Sequence, residues 1–453
     1  MMSLKVPIIL ILGLGAIVST YENAPRVKTP LGGIKGYYKI SANGRQYEAY
    51  EGIPYALPPV GKLRFKAPQK IPAWSGELLA TKFGSVCLQY DQLVSKQSDR
   101  VQGSEDCLYL NVYVPVHENK DFKLPVIFWI HGGAFQYGSG MHMGAKFLMD
   151  QDVILVTINY RLGSLGFLST EDEVLPGNMG LKDQNMALRW VSENIEWFGG
   201  NPDKITLAGL SAGGVSVHYH YLSKLSSGLF QGGISISGTA FNCFSQTENS
   251  SEKTKKLAAI MGCPTSSTRD MVQCLRYRPG RALVQATKEF QPWLYNPFTP
   301  FGPVVEKYGD APFIDQSPIE IIHSGNVEDV PWITSVVSEE GLYPVAGVSH
   351  ADDACHILET SYLDPTTTSD DVAMQQELID LWISFATNNV PRVDNIEWTE
   401  VDPSQKEFHY LHIAGPGIHY MESDTNLGNK DFWNSIHFNE NMLKHKGNIK
   451  DDL

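Results

Sequence analysis

The residues most suited to chemistry are Gly209-Leu210-Ser211-Ala212-Gly213-Gly214, which follow an apolar run starting at Ile205. A serine flanked by glycines at a strand-to-helix junction can be lifted on a tight, strained turn, with its hydroxyl clear of the sheet. A plain glycine-rich turn would have the same letters, and the flanking strand and helix are what make this one an elbow. The chemistry implied is nucleophilic attack on an acyl carbon. That reaction passes through a tetrahedral intermediate whose oxyanion needs preorganised N–H donors. A second glycine-rich loop, His131-Gly132-Gly133-Ala134-Phe135, directly follows the apolar run 126–130. Its backbone can approach closely enough to donate, which nominates Gly133 and Ala134, together with Ala212 beside the serine. His218 and His220 form an H-x-H pair in the helix after the elbow and are read as helix residues, not metal ligands.

The elements that must hold these loops are legible as unbroken apolar runs at 126–130, 153–158, 205–210 and 232–236. Strands buried on both faces read this way, as in a parallel sheet with helices on either side. Between the runs lie helical patterns. Over 183–198, Met186, Ala187, Trp190, Val191, Ile195 and Phe198 share one face, and Gly199-Gly200 stops the helix. A later helix is expected over about 371–386, ended by Pro391. Strand and helix in alternation give an α/β class with a mostly parallel central sheet. The 453 residues can bury a large core, and no linker splits them.

Charge and the N-terminus restrict the setting. A formal charge of -14 provides no basic field to meet phosphates, which argues against a nucleic-acid partner. Residues 1–5 are a short basic start and 6–18 are unbroken apolar, a signal-peptide layout too short to span a bilayer. Residues 1–20 are therefore expected to be removed, leaving one domain over 21–453 in an oxidising, secretory compartment with no membrane span. The six cysteines fit that compartment. Cys87 and Cys107 bracket one loop, Cys263 and Cys274 another, and Cys243 and Cys355 are left over. Spacing alone does not fix the pairing. Asn249-Ser250-Ser251 is a glycosylation sequon in a polar stretch. The tail Lys450-Asp451-Asp452-Leu453 reads either as a retrieval signal of the endoplasmic reticulum, with Asp where Glu is usual, or as a chance acidic tail.

These motifs, with Glu105-Asp106-Cys107-Leu108-Tyr109-Leu110-Asn111, Asn159-Tyr160-Arg161-Leu162-Gly163, the segments 180–184 and 198–202, Ser338-Glu339-Glu340-Gly341 and Gly347-Val348-Ser349-His350-Ala351-Asp352-Asp353, resemble the type-B carboxylesterases, insect members above all. The resemblance implies the α/β-hydrolase fold and a carboxylic ester of small size as substrate, with no cofactor or metal. It assigns Glu340 as the catalytic acid, His350 as the general base and Ser237 as a serine supporting them. It also pairs Cys87 with Cys107 and Cys263 with Cys274. In that scheme His350 takes the Ser211 proton, Glu340 fixes the imidazole, and water releases the acyl-enzyme.

Two departures from the family stand out. Glu340 and His350 lie only ten positions apart, where the family has an insert of roughly a hundred residues. A crossover between parallel strands needs about a dozen residues or more, so one strand and its helices are missing near 343–348. The strand ending near Val337 then becomes a sheet edge. The chain reads either as an active ester hydrolase, as an inactive deletion form of one, or as a non-catalytic binding protein on the same fold. The second departure is that the 87–107 loop contains no tryptophan, which argues against choline esters.

Overall fold

The computed structural model describes residues 24–92, 100–117, 122–293, 296–340, 349–360, 368–402, 404–426 and 435. The expected signal peptide at 1–20, the shortened junction at 343–348 and the tail at 450–453 lie outside the described residues.

Apolar runs become strands wherever the sequence has them. The central sheet comprises β1 (Tyr37–Ile40), β2 (Gln46–Pro54), β3 (Tyr109–Pro115), β4 (Leu124–Ile130), β5 (Ile154–Ile158), β6 (Gly200–Leu210), β7 (Gly232–Ile236) and β8 (Trp332–Ser335). Their spatial order is β8-β7-β6-β4-β5-β3-β2-β1. The pairs β4–β5, β4–β6, β6–β7 and β7–β8 are parallel, and the pairs joining β5, β3, β2 and β1 are antiparallel. Every residue of β4, β5 and β7 is buried, as unbroken hydrophobic runs require. The α/β class with a mostly parallel sheet is thus observed.

Helix α1 (Met179–Asn194) starts four residues before the expected boundary and continues as a 3-10 turn, Ile195–Phe198. The start is set by backbone conformation, which apolar periodicity does not report. Gly177 and Asn178 have φ of 116° and 57°, so the right-handed helix begins only beyond them. Gly199 stops the element with φ 84°, as anticipated. Helix α2 (Ala212–Tyr221) is buried at every position, in keeping with its place beneath the elbow.

Both disulfides implied by the resemblance are formed, Cys87–Cys107 and Cys263–Cys274, and Cys243 and Cys355 are free. Asn249 is exposed at the start of helix Ser250–Ile260. Among the described residues no helix is long and apolar enough to cross a membrane.

The chain divides into two compact units. One contains residues up to 366 together with Trp382–Val390, and so holds the whole central sheet. The other contains residues 367–381 and those from Pro391 onward, including the antiparallel hairpin Phe408–Gly415 and Ile418–Asp424. The helix expected over 371–386 is observed as Ser369–Asn388.

Candidate active site

Ser211 sits between β6 and α2 with φ 57° and ψ -121°, a conformation that costs a non-glycine residue about 1–3 kcal/mol. Close packing enforces the strain. A Cβ on Gly213 would lie 2.0 Å from the Ile130 carbonyl oxygen, and one on Gly238 would lie 2.1 Å from the Ser211 carbonyl oxygen. The Ser211 N–H donates to the Ile236 carbonyl at 2.8 Å, and its carbonyl accepts from Val215 N–H at 2.8 Å. The turn is pinned from three sides, and only the hydroxyl is left to vary.

The His131 loop lies directly against this turn. A Cβ on Gly132 would be 2.7 Å from the Leu210 carbonyl and 3.2 Å from the Ser211 Cβ. Gly133 has φ 105°, and a side chain there would collide with the Tyr137 carbonyl at 1.9 Å. Ala134 and Phe135 also adopt positive φ, 52° and 60°. The Gly133 carbonyl is tied up by Gln136 and Tyr137 N–H groups, and the Ala134 carbonyl by the Thr299 hydroxyl. The amides of Gly133, Ala134 and Ala212, in contrast, donate no hydrogen bond among the described residues. Strained backbone beside a serine, with donors left unused, is the arrangement an oxyanion requires.

Glu340 and His350 also meet. The His350 Nδ1 and the Glu340 Oε2 are 2.6 Å apart, and the Val337 N–H donates to the other carboxylate oxygen at 3.2 Å. Burial disfavours the Glu340 charge, but hydrogen bonding from His350, the proximity of the Ser237 hydroxyl and the imidazole's charge prevail. Its carboxyl is held below the ordinary range and so stays ionised at neutral pH. The buried Ser237 hydroxyl has no well-formed hydrogen bond of its own. The Ser211 hydroxyl makes no hydrogen bond to His350 among the described residues. The Ser211 turn with its unused amides forms one cluster, and the Glu340–His350 pair forms a second.

The other histidines near the elbow belong to the scaffold. His131 donates from Nδ1 to the Gly132 carbonyl (2.8 Å) and stacks on Tyr160 with ring centres 4.4 Å apart. His218 accepts the Ala240 N–H at 3.2 Å, while His220 meets the Ser226 hydroxyl at 2.7 Å. The H-x-H pair is thus split between different partners. Burial drives these imidazoles down, to about 3 for His131 and His220 and about 4 for His218. A histidine depressed in the fold contributes stability that is present above its unfolded value near 6.5 and is lost as pH falls toward the folded value. At pH 5 each should forfeit about 2 kcal/mol. The thermal midpoint is therefore expected to fall steeply between pH 7 and pH 5, measured by circular dichroism. His218→Phe should flatten that slope, whatever it does to the midpoint at pH 7.5. An unchanged slope in the variant would contradict the assignment.

Residues 23–346 match the model of the carboxylesterase family. The chain belongs to the carboxylesterase family. A carboxylic ester hydrolase of Bombus ignitus is 45% identical, with 98% of this chain and 99% of that protein covered. Venom carboxylesterase-6 of Apis mellifera is 44% identical, with coverage of 96% and 98%. The crystal structure of juvenile hormone esterase from Manduca sexta, with OTFP covalently attached, superposes with a TM-score of 0.78 at 26% identity. It covers 88% of this chain and 96% of that one. The Bombus alignment runs over 556 positions against 453 residues here, so at least 103 positions have no counterpart in this carboxylesterase. The family match stops at residue 346, inside the 343–348 junction that the spacing of Glu340 and His350 singles out.

Two contacts at the site have no signal in sequence spacing. The Ser335 hydroxyl, at the end of β8, donates to Asp353 Oδ2 at 3.0 Å, and Trp332 Nε1 donates to the Ser235 hydroxyl at 3.0 Å. Ser335 and Asp353 lie in the stretches Ser-x-x-Ser-Glu-Glu and His-x-x-Asp, and neither stretch indicates that the two segments touch.

Proposed function

We propose that this chain is a secreted carboxylic-ester hydrolase, one domain over 21–453, that works through an acyl-enzyme on Ser211. The observation that carries the reading is the strained serine turn packed against three unused amides. In the reaction the Ser211 Oγ attacks the ester carbonyl carbon while His350 accepts its proton at Nε2. Charge on the carbonyl oxygen is met by the N–H groups of Gly133, Ala134 and Ala212. The intermediate collapses, the C–O bond to the alcohol breaks, and His350 returns the proton to the departing oxygen. Water repeats the sequence on the acyl group. Glu340 keeps the Nδ1 proton in place and offsets the imidazolium charge throughout, helped by Ser237.

A fluorophosphonate probe tests the reading, because phosphonylation needs an activated serine. Mass spectrometry of the secreted protein should find the label on Ser211 in the native form and none after heat denaturation. The same material should begin near Tyr21 and carry glycan on Asn249. Labelling no faster than that of the denatured protein would overturn the assignment. Two observations favour a second reading, an inactive deletion form. The Ser211 hydroxyl is not hydrogen-bonded to His350, and the family residues absent here fall between Glu340 and His350 by spacing. Labelling of Ser211 without turnover of nitrophenyl acetate would select that form.

A further inference from the structure

Glu340 and His350 occupy loops that follow the end of β8, and something must fix their distance from the nucleophile two strands away. The hydrogen bonds form a continuous path from one to the other. The Ser211 N–H donates to the Ile236 carbonyl at the end of β7, and the next residue, Ser237, donates its N–H to the Ser335 carbonyl at 2.9 Å. Ser335 is the last residue of β8 and pairs in register with Ile236. Its backbone is therefore bound to the strand that supports the elbow, while its hydroxyl points away to Asp353 Oδ2 at 3.0 Å.

Asp353 belongs to α3 (Asp352–Ile357), the short helix that follows His350. Its other oxygen accepts the Ala354 N–H at 2.9 Å, so the side chain is fixed to its own helix as well as to β8. The turn before the helix is equally constrained. Ala351 has φ 88°, and the Ser349 N–H donates to Asp352 at 2.6 Å. His350 thus stands on a rigid turn whose helix is fastened to the sheet at Asp353. Burial, followed by the neighbouring Glu340 charge, pushes the Asp353 carboxyl above its ordinary range, and the Ser335 and Ala354 hydrogen bonds oppose the shift. A buried carboxylate close to a second one is costly, and a donor matched to it offsets part of that cost.

We infer that Ser335 and Asp353 are positioning residues, a tether that holds the His350 turn against the sheet edge at a set distance from Ser211. The inference rests on the ester-hydrolase reading for its catalytic consequence, not for the tether itself. The tether matters more in this chain than the pair's single hydrogen bond suggests. The junction between Glu340 and His350 is short, and β8 has no further strand beside it among the described residues to carry the histidine.

The test uses the full secreted chain and four variants: Ser335→Ala, Ser335→Thr, Asp353→Ala and the double Ser335→Ala/Asp353→Ala. Each alanine variant should slow fluorophosphonate labelling of Ser211 on the order of tenfold, since a displacement near 1 Å can cost about a hundredfold and the loss of one hydrogen bond shifts the turn by less. For a nitrophenyl ester the loss should fall on kcat and leave KM in place. The threonine variant keeps the hydroxyl and should retain the parental rate. The double variant should be no slower than Asp353→Ala, as expected of two groups acting through one contact. Additive losses, or a parental rate in Ser335→Ala, would overturn the tether.

A second measurement does not depend on turnover. The proton shared between His350 and Glu340 should give a far-downfield NMR resonance, assigned by its disappearance in Glu340→Gln. In Ser335→Ala it should broaden or vanish, and in Ser335→Thr it should persist. A parental chain that neither labels nor hydrolyses defeats the ester-hydrolase reading, and the resonance still decides the tether: lost in Ser335→Ala supports it, unchanged refutes it.

Discussion

Ser211→Ala is expected to remove hydrolysis of short nitrophenyl esters while leaving the fold as it is. The two halves of that expectation have different physical origins. Chemically, the variant lacks the hydroxyl placed at the turn between β6 and α2, and the amides of Gly133, Ala134 and Ala212 would face a substrate with no attacking group. Losing a triad nucleophile costs roughly a millionfold in kcat in well-studied serine enzymes, with a residual ~10³–10⁴ over water from oxyanion contacts and binding. Structurally, alanine meets the same steric limits as serine at φ 57°, so the backbone strain is unchanged. The hydrogen bonds that hold Ser211 are those of its backbone N–H and carbonyl, which alanine keeps, so the substitution leaves no buried partner unsatisfied. The thermal midpoint should stay within about 1 °C of the parent, a shift worth only a few tenths of a kcal/mol. Steady-state turnover and circular dichroism on the same preparations check both halves. Parental turnover in the variant would mean that another group performs the attack.

Sequence patterns revealed this site unevenly, and the reason is the distance over which each feature is determined. The elbow is local: Gly209, Gly213 and the apolar run from Ile205 specify a strand, a strained turn and a helix within a dozen residues. The His131 loop is local in the same sense, and both appear where the letters place them. The start of α1 was not legible, because it depends on positive φ at Gly177 and Asn178 rather than on the spacing of apolar residues. The disulfides and the Glu340–His350 pair came from resemblance, since spacing left the cysteine pairing open and says nothing of which carboxylate meets which imidazole. The Ser335–Asp353 contact was beyond reach altogether. It joins a strand end to a helix start across the short spacing between Glu340 and His350, so periodicity does not speak for it.

The largest gain in function is expected from restoring that segment. Insertion of the corresponding residues of the Bombus ignitus relative at 343–348 should raise the thermal midpoint and increase ester turnover on the order of a hundredfold. The argument starts at β8, the outermost strand of the sheet among the described residues. Trp332 is 37% exposed and Val336 is 75% exposed, so apolar surface lies open along this strand and the residue that follows it. An edge of this kind exposes unpaired backbone groups and favours association between chains. A restored strand would cover both, and each 100 Å² of apolar surface removed from water is worth about 2.5 kcal/mol. The same strand would lead directly into the His350 turn and bring its imidazole to the serine hydroxyl, a contact not formed here. A misplacement near 1 Å costs about a hundredfold in rate, which sets the expected gain. The comparison is made at equal purity on the two secreted proteins, by differential scanning calorimetry, turnover of a nitrophenyl ester and light scattering after incubation at 37 °C. The shortened chain should scatter more, melt lower and turn over more slowly. Equal midpoints with equal turnover would mean that the short junction, held by Ser335 and Asp353, already places His350 where the longer relatives place theirs. The missing strand would then have no part in aligning the triad.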